Sequence, residues 1–124
     1  MNRSGKAKQF PACELKNYAE PVTTNVLKEG EIYFSLQYVD ESLLIPMMET
    51  WVFVGKNLRS EDAGERLYFQ DVGSYQQGVR YQTATGENSS FQVATHGNIK
   101  HIFEFENALK ELMKCGLRRK KSKT

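Results

Sequence analysis

The two histidines of this chain lie five residues apart, where strand-like alternation gives way to helical spacing. They are His96 and His101, with Glu104 and Glu106 close behind. Imidazole and carboxylate groups are ligands for zinc and iron. Their spacing matches neither the i, i+4 pair of a helical zinc site nor a zinc-finger pattern. We therefore predict no metal or other cofactor, and keep His96 and His101 as the candidate ligands of an alternative, a small metal-dependent enzyme.

Nucleophilic catalysis would need a Cys or Ser beside a His that a carboxylate orients. Cys13 lies in a segment without clear periodicity, and Cys115 lies near a helix end with no histidine close to it in sequence. The chain contains no nucleophile-elbow or phosphate-loop motif. These patterns favour two free thiols and a protein that is not an enzyme.

The stretch 68–78, with the sequence YFQDVGSYQQG, is the best candidate for recognition. Aromatic rings, amides and small residues are typical of adaptable binding loops that carry function. The candidate partner-binding residues are Tyr68, Asp71, Ser74, Tyr75 and Gln76. The alternative for the two tyrosines is half-buried packing with the hydroxyl in water.

Charge is distributed unevenly along the chain. Residues 1–18 carry a net charge of +3 and residues 114–124 a net charge of +6, whereas residues 19–113 carry −7. Asp40, Glu41 and Asp71 fall at the ends of strand-like runs. An acid–base pair among these carboxylates and Glu49 is conceivable, but a solvated negative surface is favoured. We expect Asp40, Glu41 and Asp71 to attract a basic protein partner, as an inhibitor or immunity protein would.

The C-terminal sequence LRRKKSK suggests a second function. Its basic residues can neutralise phosphates, with an affinity that falls steeply with salt. They are Arg118, Arg119, Lys120, Lys121 and Lys123. The alternative hypothesis is therefore a nucleic-acid-associated or ribosome-associated protein that binds through its basic tails. The acidic middle of the chain would oppose such binding.

Alternation of side chains predicts the strands. Residues 45–58 hold the only Trp, and Trp51 to Val54 are apolar on both faces, which predicts a strand in the middle of a sheet. Residues 31–39 and 66–72 alternate with period two and predict two further strands. Residues 79–83 and 90–95 flank a polar loop, and the pattern predicts a hairpin.

Helical spacing begins near Ile102. An apolar sector of about 100° at 3.6-residue spacing predicts an amphipathic helix that ends at Gly116. The residues of this sector are Ile102, Phe105, Leu109, Leu112 and Met113. Residues 99–105 also alternate like a strand, so a strand that runs into the helix near Glu104 fits equally well.

Together these elements predict an α+β fold. We expect about five antiparallel strands in a twisted or partly closed sheet, covered by the C-terminal amphipathic helix. The expected organisation is a flexible basic segment over 1–19, one α+β domain over 20–116 and a basic disordered tail over 117–124. No run is long enough for a membrane helix and no signal peptide is evident, so we expect a cytoplasmic protein that does not bind membranes.

Overall fold

The computed structural model describes residues 21–23 and 26–123, with the side chain of His96 excepted. The predicted flexible segment 1–19 therefore lies outside the described residues. Within the described residues, five strands and two α-helices follow one another in the order β1 Ile32–Tyr38, β2 Pro46–Lys56, β3 Arg66–Asp71, α1 Val72–Gln76, β4 Phe91–Thr95, β5 Ile102–Phe103 and α2 Phe105–Ser122. Two 3₁₀-helices, Tyr81–Thr83 and His96–His101, precede β4 and β5.

The strands form one antiparallel sheet in the order β4-β3-β2-β1-β5. Strand β2 is central, as the apolar residues on both of its faces predicted. Trp51 and Phe53 are buried on one face and Val52 on the other. The predicted α+β class, with five antiparallel strands and a C-terminal helix, is confirmed, and the sheet is open.

The segment His96–His101, here called the crossover helix, consists of two 3₁₀ turns joined by a kink at Asn98, and it connects the two edges of the sheet. It leaves β4 at one edge and enters β5 at the other. A flat sheet of five strands would be roughly 19 Å across, whereas the six residues of this helix span roughly 12 Å. The sheet must therefore curl toward the crossover helix.

Residues that the crossover helix covers form the larger core. We call this side of the sheet the crossover face; it carries the buried side chains Tyr33, Trp51, Phe53, Leu67 and Phe69. Ile99 of the crossover helix is buried against them, as is Val22. The Val22 N–H donates to the Ile102 carbonyl at 2.9 Å, which holds this segment beside β5.

Helix α2 packs on the opposite face of the sheet, over β1 and β5. Ala108 joins Leu36 and Phe103 in a second cluster, and Leu112 packs against it. The predicted contact face is wrong in detail, because Phe105, Leu109 and Met113 are exposed and Ile102 lies in β5. The cause is tertiary packing, which turns one edge of the apolar sector toward the sheet.

The predicted end of the C-terminal helix and the predicted hairpin are also wrong. The helix does not end at Gly116, since α2 continues to Ser122 and makes residues 117–122 helical where a disordered tail was predicted. The strand predicted over 90–95 is confirmed as β4, but its predicted hairpin with 79–83 is absent, because β4 pairs with β3 and residues 81–83 form a 3₁₀-helix. None of the helices among the described residues combines the length and the apolar content of a membrane-spanning segment.

Candidate binding pocket on the crossover face

Beside the crossover helix, the crossover face of the sheet forms an open pocket of about 400 Å³, which is within the range of small-ligand sites. All five strands contribute to it. The lining residues are Ser35, Gln37, Met47, Glu49, Trp51, Phe69, Gln92, Val93, Ala94, Asn98, His101 and Ile102. The fold thus leaves a largely polar depression beside its main core.

Strand register positions the polar groups of the pocket. Ser35 lies directly opposite Glu49 on β2 and opposite Ile102 on β5, so these three residues form a row across the sheet. Trp51 lies two residues further along β2, and its indole N–H donates to the Ser35 hydroxyl at 3.2 Å. This bond satisfies the buried indole and holds the serine side chain in place.

Glu49 determines the charge of the pocket. It is the one lining residue with a formal charge at neutral pH when His101 is neutral. Its side chain is exposed to solvent within the pocket. Among the residues that the structure describes, no Lys or Arg forms an ion pair with Glu49. Within the described part of the chain, the pocket therefore presents a negative charge without a salt-bridge partner, surrounded by neutral hydrogen-bonding groups.

Ser35, Glu49 and His101 line the same pocket, but no hydrogen bond joins the imidazole to either of the other two within the described part of the chain. The Ser35 hydroxyl oxygen accepts a hydrogen bond from the Trp51 indole N–H. A serine nucleophile would need the imidazole as its base. A search of the described residues for three or more His, Cys, Asp or Glu side chains that could hold a metal ion finds no such group. The groups that line the pocket are thus one carboxylate and several neutral hydrogen-bond donors and acceptors.

The predicted recognition stretch 68–78 is built mainly into the fold. Tyr68 and Ser74 are buried, and the Tyr68 hydroxyl donates to Asp62 at 2.7 Å. Burial, with the neighbouring Asp62 carboxylate, raises the pKa of Tyr68 to about 12. Tyr75 is half-buried and Gln76 is exposed. Of the candidate residues in this stretch, Gln76 is thus the most accessible to a partner, and the exposed Gln77 lies beside it.

Asp71 is the N-cap of α1. Its carboxylate accepts hydrogen bonds from the Ser74 N–H at 2.9 Å, from the Ser74 hydroxyl at 2.6 Å and from the Ser90 N–H at 2.8 Å. Desolvation opposes the charge, but these hydrogen bonds lower the pKa of Asp71 below its usual value. The carboxylate thus connects α1 to the segment that enters β4.

The other two acidic candidates lie in the loop between β1 and β2. The Asp40 carboxylate accepts hydrogen bonds from the Leu44 N–H at 3.0 Å and from the Ile45 N–H at 2.8 Å. Although desolvation opposes it, these bonds lower the pKa of Asp40. Glu41 is exposed beside it. Asp40 therefore shapes the loop, and Glu41 is its free acidic group.

Arg118, which the sequence assigned to a basic tail, instead joins α2 to this loop. It donates to the Leu43 carbonyl at 2.9 Å and to the Tyr38 hydroxyl at 2.7 Å, and it forms an ion pair with Glu111 at 3.4 Å. Burial and the hydrogen bond to the Glu111 carboxylate raise the pKa of Tyr38. Cys115 is buried beside the same carbonyl, 3.6 Å from its oxygen.

The basic residues of the C-terminal end and the two histidines lie in separate parts of the fold. Arg119, Lys120, Lys121 and Lys123 are exposed around the C-terminal turns of α2. The histidines occupy opposite ends of the crossover helix, with His101 in the pocket.

Sequence reasoning missed Ser35, Gln37, Gln92 and Asn98 as pocket residues. The available signal was that Ser35 and Gln37 share the face of a buried tyrosine, where apolar residues would be expected.

Comparisons of the chain with protein-family models, with curated proteins and with solved structures find no match.

Proposed function

We propose that this protein is a non-catalytic binding module whose pocket receives a basic side chain of a protein partner. One observation carries the proposal: Glu49 lies in a pocket on the sheet without a basic side chain of the described residues to neutralise it. A lysine ammonium or an arginine guanidinium would supply the missing charge and donate hydrogen bonds to it.

The pocket fits the whole of such a side chain. Lys and Arg bury an aliphatic stem along apolar surface while the charged end stays polar. Met47, Trp51 and Ile102 supply apolar surface, and Gln37 and Gln92 supply amide oxygens that can accept further hydrogen bonds. A volume of about 400 Å³ suits one long side chain and its ordered water.

The acidic group that would meet the partner is thus Glu49 on the sheet and not a carboxylate of the loops. Asp40 and Asp71 use their carboxylates to cap backbone N–H groups. Glu41 and Glu49 are exposed and have no cationic partner among the residues described. Their charge would attract a basic partner over distance, and Glu49 would form the specific contact.

Short peptides test the pocket directly. Gly-Arg-Gly and Gly-Lys-Gly amides should change the fluorescence of Trp51, the only tryptophan, whereas Gly-Glu-Gly amide should not. Binding of an isolated side chain is expected in the millimolar range, and it should weaken with salt.

Glu49→Gln removes the charge and keeps the shape, so it should weaken peptide binding about tenfold. Glu41→Gln is the matched control, because it removes an exposed carboxylate outside the pocket. Equal binding by the wild type and Glu49→Gln, or no response to either basic peptide, would show that the pocket does not recognise a cation.

The end of α2 supports a second candidate function, contact with nucleic acid. Arg119, Lys120, Lys121 and Lys123 are exposed, and residues 112–123 contain no acidic residue. Binding of the full chain to single- and double-stranded nucleic acid should then decline with salt. The triple change of Arg119, Lys120 and Lys121 to Gln should abolish it, whereas a loss of binding with Glu49→Gln alone would argue against this surface.

A further inference from the structure

Helix α2 carries an apolar stripe on its solvent side. The stripe consists of Phe105, Leu109, Met113 and Leu117, whose exposed fractions are 68%, 50%, 49% and 51%. Spacing of four residues places each side chain one turn beyond the last on the same side of the helix. A row of four large apolar side chains is more than the scattered exposure normal for a monomer, and it is typical of an interaction surface.

One stripe residue, Phe105, also touches the sheet, since its ring meets the Phe34 ring of β1 edge to face with centroids 5.7 Å apart. The packing of α2 explains why the other three face solvent. Ala108, Leu112 and Cys115 face β1, β5 and the β1–β2 loop. At 100° per residue, Ala108 and Cys115 lie about 140° and 160° from Met113 around the helix axis, and Leu112 lies about 100° from it. Turning Met113 toward the sheet would therefore expose Ala108 and Cys115.

We infer that the stripe pairs with the same stripe of a second copy of this chain, with the two α2 helices antiparallel across a twofold axis near Met113. In such an isologous contact each residue meets the residue equally far from the axis on the other side. Met113 then meets its own copy, and Leu109 meets Leu117. Leu109, Met113 and Leu117 thus supply apolar surface to both sides, and Phe105 lies opposite Lys121 of the other copy at the edge of the interface.

Charge supports this pairing and its direction. Glu106 and Lys120 lie seven residues on either side of Met113, and both are exposed. Together with Leu109, Met113 and Leu117 they fall within a sector of about 80° at 100° per residue. An antiparallel pair therefore places Glu106 of one copy beside Lys120 of the other, twice.

The interface also permits close approach. Lys110 would face Gly116, which has no side chain, so the lysine stem can lie over the neighbouring backbone. Helices pack at about 8–10 Å between axes, with the closest distances where side chains are small. One helix pair is a small interface by the standards of stable dimers, so the association should depend on concentration in the micromolar range.

The oligomeric state of the full chain tests the inference. Sedimentation equilibrium over roughly 1 µM to 1 mM should show the mass rising from 14.2 kDa toward twice that value. Leu109→Glu places a charge in the centre of the stripe and should leave the protein monomeric throughout. Val93→Glu is the control, because it changes an equally exposed apolar residue on the edge strand β4.

Charge reversal tests the direction of the pair. Glu106→Lys and Lys120→Glu should each weaken self-association about tenfold, because each homodimer then opposes like charges. An equimolar mixture of the two variants should associate at least as well as the wild type, since both contacts become attractive. Circular dichroism of each variant verifies that α2 is intact.

Three outcomes would overturn the inference. A wild type that stays monomeric across the whole series would mean that the stripe faces something other than a second copy. Association that survives Leu109→Glu but is lost with Val93→Glu would place the interface at the sheet edge. Failure of the mixed variants to associate would exclude the antiparallel arrangement.

Discussion

Replacement of Asp71 by Ala distinguishes a structural carboxylate from a recognition residue. The side chain accepts three hydrogen bonds, two from Ser74 and one from the Ser90 N–H, and so holds α1 against the start of β4. Ser90 is 19 residues away in sequence, so this hydrogen bond joins the two ends of the long connection between β3 and β4. If the carboxylate served only a partner, its removal would leave the fold unaffected.

The expected cost follows from these bonds. Loss of an N-cap costs about 1 kcal/mol, and loss of a hydrogen bond to a charged acceptor costs about 1.5 kcal/mol. Asp71 is half-buried, so water replaces part of what is lost, and we expect Asp71→Ala to lower the free energy of unfolding by about 2 kcal/mol. For a domain of this size that corresponds to about 8 °C in Tm.

Urea unfolding followed by the fluorescence of Trp51 measures the difference, with Glu41→Ala as the control. The lowered pKa of Asp71 means that its contribution is fully present above the unfolded-state value near pH 4 and is lost as the pH falls through the folded-state value. The gap between wild type and variant should therefore close in acid. A change below about 0.5 kcal/mol at neutral pH would refute the structural role.

Three further substitutions probe other contacts. Arg118→Ala should destabilise the fold by about 1–2 kcal/mol in urea unfolding, because it leaves a carbonyl and a tyrosine hydroxyl without their donor, whereas an effect no larger than that of Arg119→Ala would contradict this contact. The pKa of Tyr68 is raised to about 12 in the folded state, against about 10 when unfolded. The contribution of this hydroxyl to the free energy of unfolding is therefore present below pH 10 and is lost as the pH rises toward 12. Tyr68→Phe should remove this part of the alkaline destabilisation seen in unfolding curves. Glu49→Gln should leave the unfolding free energy within about 0.5 kcal/mol of the wild type, and a larger loss would mean that the carboxylate supports the fold.

Local periodicity predicted the strands and the helix whose buried and exposed sides alternate regularly along the chain. Strands β1, β2 and β3 were evident because period-two alternation is a property of neighbouring residues. Apolar residues on both faces of Trp51 to Val54 also predicted the central place of β2. The C-terminal helix followed from its change of period. The predicted helix end at Gly116 and the predicted hairpin before Ser90 were wrong, because both features depend on contacts with residues distant in sequence.

Candidate sites were harder to predict from residue types. A carboxylate at a strand end has the same local signature whether it faces solvent or caps a helix, so Asp71 was read as a recognition residue. A run of basic residues does not reveal that Arg118 contacts the Leu43 carbonyl, 75 residues away. Both side chains found partners that only the folded chain brings within hydrogen-bond distance.

The sequence by itself determined the α+β class, four of the strands, the existence of α2 and the central position of Trp51, because each rests on spacing along the chain. Tertiary structure alone decided the pocket and the exposed stripe. Ser35, Glu49 and His101 come together through strand register and the crossover helix. The side of α2 that meets the sheet was set by packing against Leu36 and Phe103, because a helix buries the edge of its apolar sector that fits its neighbours best.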